Sequence, residues 1–502
     1  MAVLPTPADT DASVLIIGAG FGGIAAAIEL QRAGFRDLTV LEAAPEVGGT
    51  WFHNTYPGAA CDVPSFLYQY SYARRTDWSR GCPPQTEILD YLQTTARTFG
   101  IDALVHTDSP VQACVWSADD RRWTATTSDG RIFSAGALVI ATGQLHQPHY
   151  PELPGIETFE GEAFHSARWR HDLDLRGKRV AVIGNGASAV QFLPEIAKVA
   201  GHVTLFQRTG NYFLPRRNPA YSARKRRLLA TVPALQTARR TAFTGALEYL
   251  TSAIRHPRLI GWGPGAFSRA YMRWQLRGDD ELRRKVWPDY TFGCKRVLIS
   301  SYWLPTLRRP NVDVVTDRLA AVEPGGLRTT DGTLHDADIV IYATGFRTTD
   351  FMLPMQVLGT GGRRLQDVWA DGAHAHLGIT VPGFPSLFLM YGPNTNTSGG
   401  SILVFLEAQA RYIRKALELV RVRGGGAIEV RPEVEAASDR ALQARFDGTA
   451  WLTCQSWYRT GTGRIVANWP GYMREFVART AEVDPAEYTI TGAPQPETAP
   501  TA

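Results

Sequence analysis

The sequence predicts an α/β protein built from two Rossmann-like dinucleotide-binding domains with a helical insert. Three observations predict it. Gly18-x-Gly20-x-x-Gly23 follows an apolar strand and opens a helix. Gly184-x-Gly186-x-x-Ala189 repeats the arrangement further along. After each comes an apolar strand ending in Ala-Thr-Gly, "ALVIATG" and "DIVIYATG".

Val14 to Ile17 reads as a parallel strand buried on both faces. The helix after it carries Ala25, Ala26, Ile28 and Leu30 inward. Gly18 makes the tight turn, Gly20 lets backbone approach a pyrophosphate, and Gly23 lets helix pack on strand. The helix N-terminus, with its free N–H groups, suits that pyrophosphate. The next strand, "LTVLEA", ends in Glu42, 19 positions past Gly23, where a carboxylate accepts from ribose hydroxyls. An acid there disfavours a 2′-phosphate, so FAD or NAD is expected and NADP is not.

In the second unit the strand is Val180 to Ile183, and a small residue, Ala189, takes the third glycine's place. Ser188 is expected to help cap the helix. The second strand, "HVTLFQRT", brings Arg208 and Thr209 where the first unit has Glu42. A guanidinium and a hydroxyl suit a 2′-phosphate, so NADPH is assigned here. Two sites of opposite charge preference imply a held flavin, an exchangeable NADPH, and hydride passing between them. The two Ala-Thr-Gly segments, turning at Gly143 and Gly345, read as crossings between domains.

The chain has 502 residues, 44% hydrophobic and 20% charged, enough for a large core and several domains. Its net charge of +5 is too mild to suggest nucleic acid. Five scattered cysteines (Cys61, Cys82, Cys114, Cys294, Cys454) form no CxxC pair. A reducing cytoplasm, no disulfide framework and no metal site are therefore expected. "MAVLPTPADTDAS" lacks the pattern of a signal peptide, and no apolar run is long enough for a membrane span. Oligomeric state leaves no mark in the sequence.

The expected organisation is an FAD-binding domain in two parts, 1–146 and 344–502. The linker and NADPH-binding domain occupy 147–215 and 291–343, with a helical insert at 216–290. Phe243, Leu247, Leu250 and Ile254 fall on one helical face of that insert. Its dense arginines read as the solvated outside of a helical subdomain, with a membrane-surface or acidic-partner patch as the alternative.

The connector "FEGEAFHSARWRHD" carries Phe159, Gly161, His165 and Trp169 as FxGxxxHxxxW. This resembles the fingerprint of Baeyer–Villiger monooxygenases, a group of the class B flavoprotein monooxygenases. The pattern's usual final Pro or Asp is Arg170 here, as in the N-hydroxylating and flavin-containing relatives, which carry Tyr or Phe in place of the Trp. "GGTWFHNTYPGAACD" is similar to the family's GxWxxxxYPGxxCD, matched by Gly49, Trp51, Tyr56, Pro57, Gly58, Cys61 and Asp62. "GPNTNT" from Gly392 resembles the segment whose backbone approaches the flavin, which places Asn394 there. "CQSWYRTGTGRIVANWPG" resembles a substrate-side segment, with Trp457 and Tyr458 either lining a pocket or simply packing in the core.

The resemblance implies that Asp62 pairs with Arg296 near the flavin, and that Lys295 reaches the NADP 2′-phosphate. It implies that His165 couples cofactor binding to a domain shift without transferring protons to substrate. It implies that the insert shapes the substrate entrance. The activity implied is FAD- and NADPH-dependent monooxygenation of a small organic substrate by O2. A flavin C(4a)-peroxide, stabilised by Arg296, attacks a ketone and yields an ester or lactone; N- or S-oxygenation is the alternative. A flavin disulfide reductase would need the CxxC dithiol that the chain lacks. A non-catalytic FAD-holding redox sensor is a further class.

Overall fold

A computed structural model describes residues 13–492, apart from Arg217, Leu353 and Ser398. The N-terminal segment read above for a leader lies largely outside the described residues. The fold is α/β, with two five-stranded parallel sheets. In the first, the strand order is Leu387–Leu389, Ala137–Ile140, Val14–Ile17, Leu38–Leu41, Val105–His106. In the second it is Glu162–His165, Ile339–Tyr342, Arg179–Ile183, His202–Phe206, Val312–Val315.

The two sheets follow one plan. Each glycine-fingerprint strand lies between the Ala-Thr-Gly strand and the strand that ends at the Glu42 or Arg208 position. Helices Phe21–Arg32 and Ala187–Ile196 follow the fingerprints. Before each Ala-Thr-Gly strand comes an antiparallel three-stranded meander, Val111–Ser117 to Ile132–Ala135 in one half and Leu319–Glu323 to Leu334–Asp336 in the other.

Packing explains the recurring Ala-Thr-Gly. A Cβ on Gly18 would lie 2.7 Å from the Ala141 carbonyl oxygen, and one on Gly184 would lie 2.4 Å from that of Ala343. Both glycines sit at positive φ, +101° and +105°. Only glycine fits a turn pressed so closely on the neighbouring strand's end.

The C-terminal third returns to the first sheet. Leu387–Leu389 completes its edge, and helix Ile402–Val422 packs along Phe21–Arg32 in a shared core with Ile24, Ile28, Leu406 and Ile413. The insert is helical as expected: Ala223–Thr231, Pro233–Arg255, Trp262–Gln275 and Asp280–Val286. Of its expected apolar face, Ile254 is buried and Leu247 and Leu250 pack against the same cluster. Phe243 stays partly exposed, its ring edge-on to Phe66.

Candidate active site

A cavity of about 1030 Å³ opens between the two parallel-sheet units. Both units contribute to its wall, together with the stretch just after the insert and the C-terminal segment. Trp51, Asp62, Gly184, Gly186, Ser188, Arg208, Thr209, Lys295 and Arg296 all line it. Gly18, Gly20, Gly23, Glu42, Asn394 and His165 lie outside that lining.

The Tyr-Pro-Gly segment reaches the cavity by docking on the other unit. Tyr56 Oη donates to Gln191 Oε1 at 3.0 Å, and Gln191 Nε2 donates to the Ala60 carbonyl at 2.9 Å. A Cβ on Gly58 would lie 2.6 Å from the Gln191 carbonyl oxygen, so this turn seats directly on helix Ala187–Ile196. Burial pushes the Tyr56 phenol up to about 12, so it stays a neutral donor.

That docking delivers Asp62. Arg296 Nη2 donates to Asp62 Oδ2 at 2.6 Å across 234 residues of chain. Burial alone would raise the Asp62 carboxyl. The charge and hydrogen bond of Arg296 outweigh it, with help from Arg216, and hold the carboxyl below its ordinary value. The Asp62 charge in turn raises the Arg296 guanidinium, although burial opposes it. The pair is therefore fully ionised, with 42% of the Arg296 side chain accessible from the cavity. Arg216 had no signal in spacing. It donates from Nη1 to the Cys61 carbonyl at 3.0 Å, and so braces Asp62 from behind. The cavity also takes in Gln144, Tyr391, Asn396 and Thr397, which sequence reasoning did not single out.

On the second unit, Lys295 Nζ donates to Thr209 Oγ1 at 2.8 Å. Burial pulls the Lys295 ammonium down, Asp289 opposes, and Arg208 adds to the fall. A phosphate between Lys295 and Arg208 would relieve their mutual repulsion and accept from the Thr209 hydroxyl. Ser188 corrects an expectation. Gly186 is the N-cap and no side chain caps the helix; Ser188 is its second residue, facing the cavity.

Both fingerprint helices start at a glycine without a side-chain cap, which leaves first-turn N–H groups for an anion. A Cβ on Gly186 would meet nothing within 4 Å, so backbone there is open to a ligand. Glu42 is buried and accepts from Ala19 N at 2.6 Å and Ala44 N at 2.9 Å. Its remaining lone pairs are what a ribose could use. Gln144 Oε1 is buried at the cavity with no partner among the described residues, an acceptor suited to a ring N–H. The residues thus fit two dinucleotides.

Asn394 serves the turn. Its Nδ2 donates to the carbonyls of Ile465 at 2.8 Å and Asn468 at 3.0 Å, while Asn396 and Thr397 face the cavity. Tyr391 and Asn394 hold positive φ, +58° and +56°, a conformation that costs free energy in non-glycine residues. Trp457 lines the cavity, whereas Tyr458 is buried.

His165 is fully buried. Its Nδ1 accepts from Ala167 N at 3.1 Å, so the proton is on Nε2, which donates to the Gly345 carbonyl at 3.0 Å. Burial depresses its pKa to about 4. Trp169 packs against Phe164 and Phe192, anchoring the connector to the second unit. Arg170 is a surface residue paired with Asp172 and Glu162, so it does not reach the cavity.

One expectation is overturned. Cys294 and Cys454, 160 residues apart, form a disulfide with Cα atoms 6.1 Å apart. No local spacing announces a pair closed by tertiary folding. The bond joins the strip that carries Lys295 and Arg296 to the strip that carries Gln455 and Trp457.

Paired parallel-sheet units around a charged cleft define a flavin- and pyridine-nucleotide-dependent oxidoreductase. A family model described as pyridine nucleotide-disulphide oxidoreductase matches residues 15–232. A Baeyer–Villiger monooxygenase of Streptomyces coelicolor is 41% identical, covering 95% of this chain and 92% of its own. One from Pseudomonas aeruginosa is 36% identical, with coverage of 98% and 94%. Among solved structures, a steroid monooxygenase bound to NADP superposes with a TM-score of 0.85 at 29% identity, covering 95% of this chain and 99% of that one. A closed cyclohexanone monooxygenase gives 0.87 at 27% identity, covering 96% and 99%. The chain belongs to the Baeyer–Villiger monooxygenases.

Proposed function

We propose that this chain oxidises an apolar ketone to an ester or lactone, with Arg296 and Asp62 as its charged centre. It is an FAD- and NADPH-dependent monooxygenase that uses O2. The flavin supplies reduced, activated oxygen when bound; the chain's own residues do the rest. Gly18, Gly20, Gly23 and Glu42 hold the flavin's nucleotide half, and Trp51 and the Gly392–Thr397 turn bound its ring. Gly184, Gly186 and Ser188 receive the NADPH pyrophosphate; Arg208, Thr209 and Lys295 receive its 2′-phosphate. Arg296, always protonated, stabilises negative charge on oxygen as it develops beside the carbonyl. Asp62 orients the guanidinium.

The observation that carries this reading is the ionised Arg296–Asp62 pair on the wall of a cavity between two nucleotide fingerprints. Arg170, the residue shared with the heteroatom-oxygenating relatives, is engaged with Asp172 and Glu162 at the surface, whereas Arg296 faces the cavity. The apolar character of the substrate rests on the cavity's stretches around Leu145, Leu153, Leu298 and Trp457, and the ketone on the Arg296–Asp62 pair. The domain boundaries given above are proposed from the order of the two sheets and the insert helices, and a cytoplasmic location from the need for NADPH alone. Among the described residues no helix is long and apolar enough to cross a membrane.

The test is product analysis by mass spectrometry with NADPH, O2 and a panel of cyclic ketones, aryl ketones, amines and thioethers. Esters or lactones from the ketones are expected. Only N- or S-oxides would overturn the ketone assignment.

A further inference from the structure

The helical insert carries charge and apolar surface that the cavity does not use. Residues 216–290 contain 16 Lys and Arg against 5 Asp and Glu, a net charge of +11, while the whole chain is +5. The remainder is therefore acidic, at −6. Among the acids, Asp280 and Glu281 are paired within their own helix, and Glu248 is paired with Arg474.

Helix Trp262–Gln275 has two distinct faces. Gly265, Ser268 and Met272 are buried, and Ser268 Oγ donates to the Phe213 carbonyl, which fixes that face to the protein. Trp262, Phe267 and Trp274 point elsewhere, within an arc of about 140° at 100° per residue. Trp262 is 70% exposed, and Phe267 and Trp274 are each more than half exposed. Leu259, in the turn just before, is 77% exposed, and Tyr249 on the preceding helix is 56% exposed. Arg273 falls inside the same arc, and Arg277 sits over the Trp274 ring at 5.9 Å.

We propose that this helical hairpin docks on an anionic lipid surface. Tryptophan, tyrosine and leucine with interspersed arginine is the composition that settles at the headgroup level, with rings in the interface and guanidinium groups on phosphate. An excess of arginines over acids is drawn to a negative leaflet. A second copy docked insert to insert is the poorer occupant, because it would bring a +11 surface against its own kind. Nucleic acid would take up the charge but gain nothing from Leu259 at the apex. The docking would set the enzyme down at a reservoir of apolar compounds. It rests on the surface of the insert and stands independently of which substrate the cavity oxidises.

The experiment is co-sedimentation of the FAD-loaded enzyme with vesicles of phosphatidylcholine alone and of equimolar phosphatidylcholine and phosphatidylglycerol. Binding to the mixed vesicles only, lost at high salt, is expected. A Trp262→Ser, Trp274→Ser variant, altered only on the outside, is expected to keep its flavin spectrum and NADPH oxidation. It should bind roughly tenfold more weakly or less well still. An Arg258→Glu, Arg277→Glu variant, changed beside Leu259 and Trp274, should lose binding as well. The proposal is overturned by no binding at low salt, or by unchanged binding of the tryptophan variant. It is equally overturned by a dimer that those tryptophan substitutions dissociate, or by preferential capture of a single-stranded oligonucleotide.

Discussion

Arg296 is held as a charge by what surrounds it. Asp62 keeps it oriented, and Arg216 secures the backbone beside Asp62. Arg296→Ala is expected to lower oxygenated product about a hundredfold or more, while NADPH still reduces the flavin and hydrogen peroxide is released instead. Stopped-flow absorbance and peroxide assay separate the two half-reactions. Asp62→Asn keeps the shape and loses the charge, so it should fall between wild type and Arg296→Ala. His165 acts differently. Its folded pKa of about 4 lies below the unfolded value near 6.5, so between those pH values the unfolded chain binds the extra proton. Its contribution to stability is intact above about pH 6.5 and drains away as pH falls to about 4. Denaturant titrations across that window should show His165→Gln with the shallower slope, by up to about 1.4 kcal/mol per pH unit. His165 itself was legible in the connector pattern. Its bond to Gly345 was not, because that contact requires the second sheet to be assembled.

At the scale of elements, specificity for the phosphorylated nucleotide sits where one strand end meets one loop. Thr209 follows strand His202–Phe206, and Lys295 comes from beyond the insert. Lys295→Ala is expected to raise the KM for NADPH about tenfold and leave that for NADH nearly unchanged, as steady-state kinetics with both cofactors would show. The Cys294–Cys454 bond ties that loop to the C-terminal strip. For protein purified under oxidising conditions, Cys454→Ser should lower unfolding free energy by about 2–4 kcal/mol, read by denaturant melts with and without a dithiol reductant. Reductant should erase the difference. The strand–glycine–helix units were legible because each is local: an apolar strand, a glycine turn and a helical period within some thirty residues. The insert's expected face was legible at Leu247, Leu250 and Ile254. Phe243 departs because its partner, Phe66, belongs to a distant segment.

The whole molecule is two similar sheets joined so that each half's signature segment completes the other's site. The Tyr56–Gly58 turn that delivers Asp62 comes from the first unit and seats on a helix of the second; Gly345 leaves the second sheet for the first. The edge strand Leu387–Leu389 and helix Ile402–Val422 make the C-terminal third part of the first unit's core. A chain ending at residue 343 should therefore be recovered without flavin, which the absence of visible absorbance would show.

Local pattern, read from the sequence alone, determined the fold class, both glycine fingerprints, the acid in one and the arginine–hydroxyl pair in the other. Resemblance to a known family marked the connector and the Tyr-Pro-Gly segment. Tertiary structure alone decided that Arg216 braces Asp62, that Arg170 faces solvent, that Asn394 ties a turn while Asn396 faces the cavity, and that Cys294 meets Cys454. The physical reason is range. Glycine turns and apolar periods are imposed by the backbone over a few residues, and so they recur legibly. Contacts spanning 160 or 234 residues depend on how two finished sheets dock, and no local spacing records that.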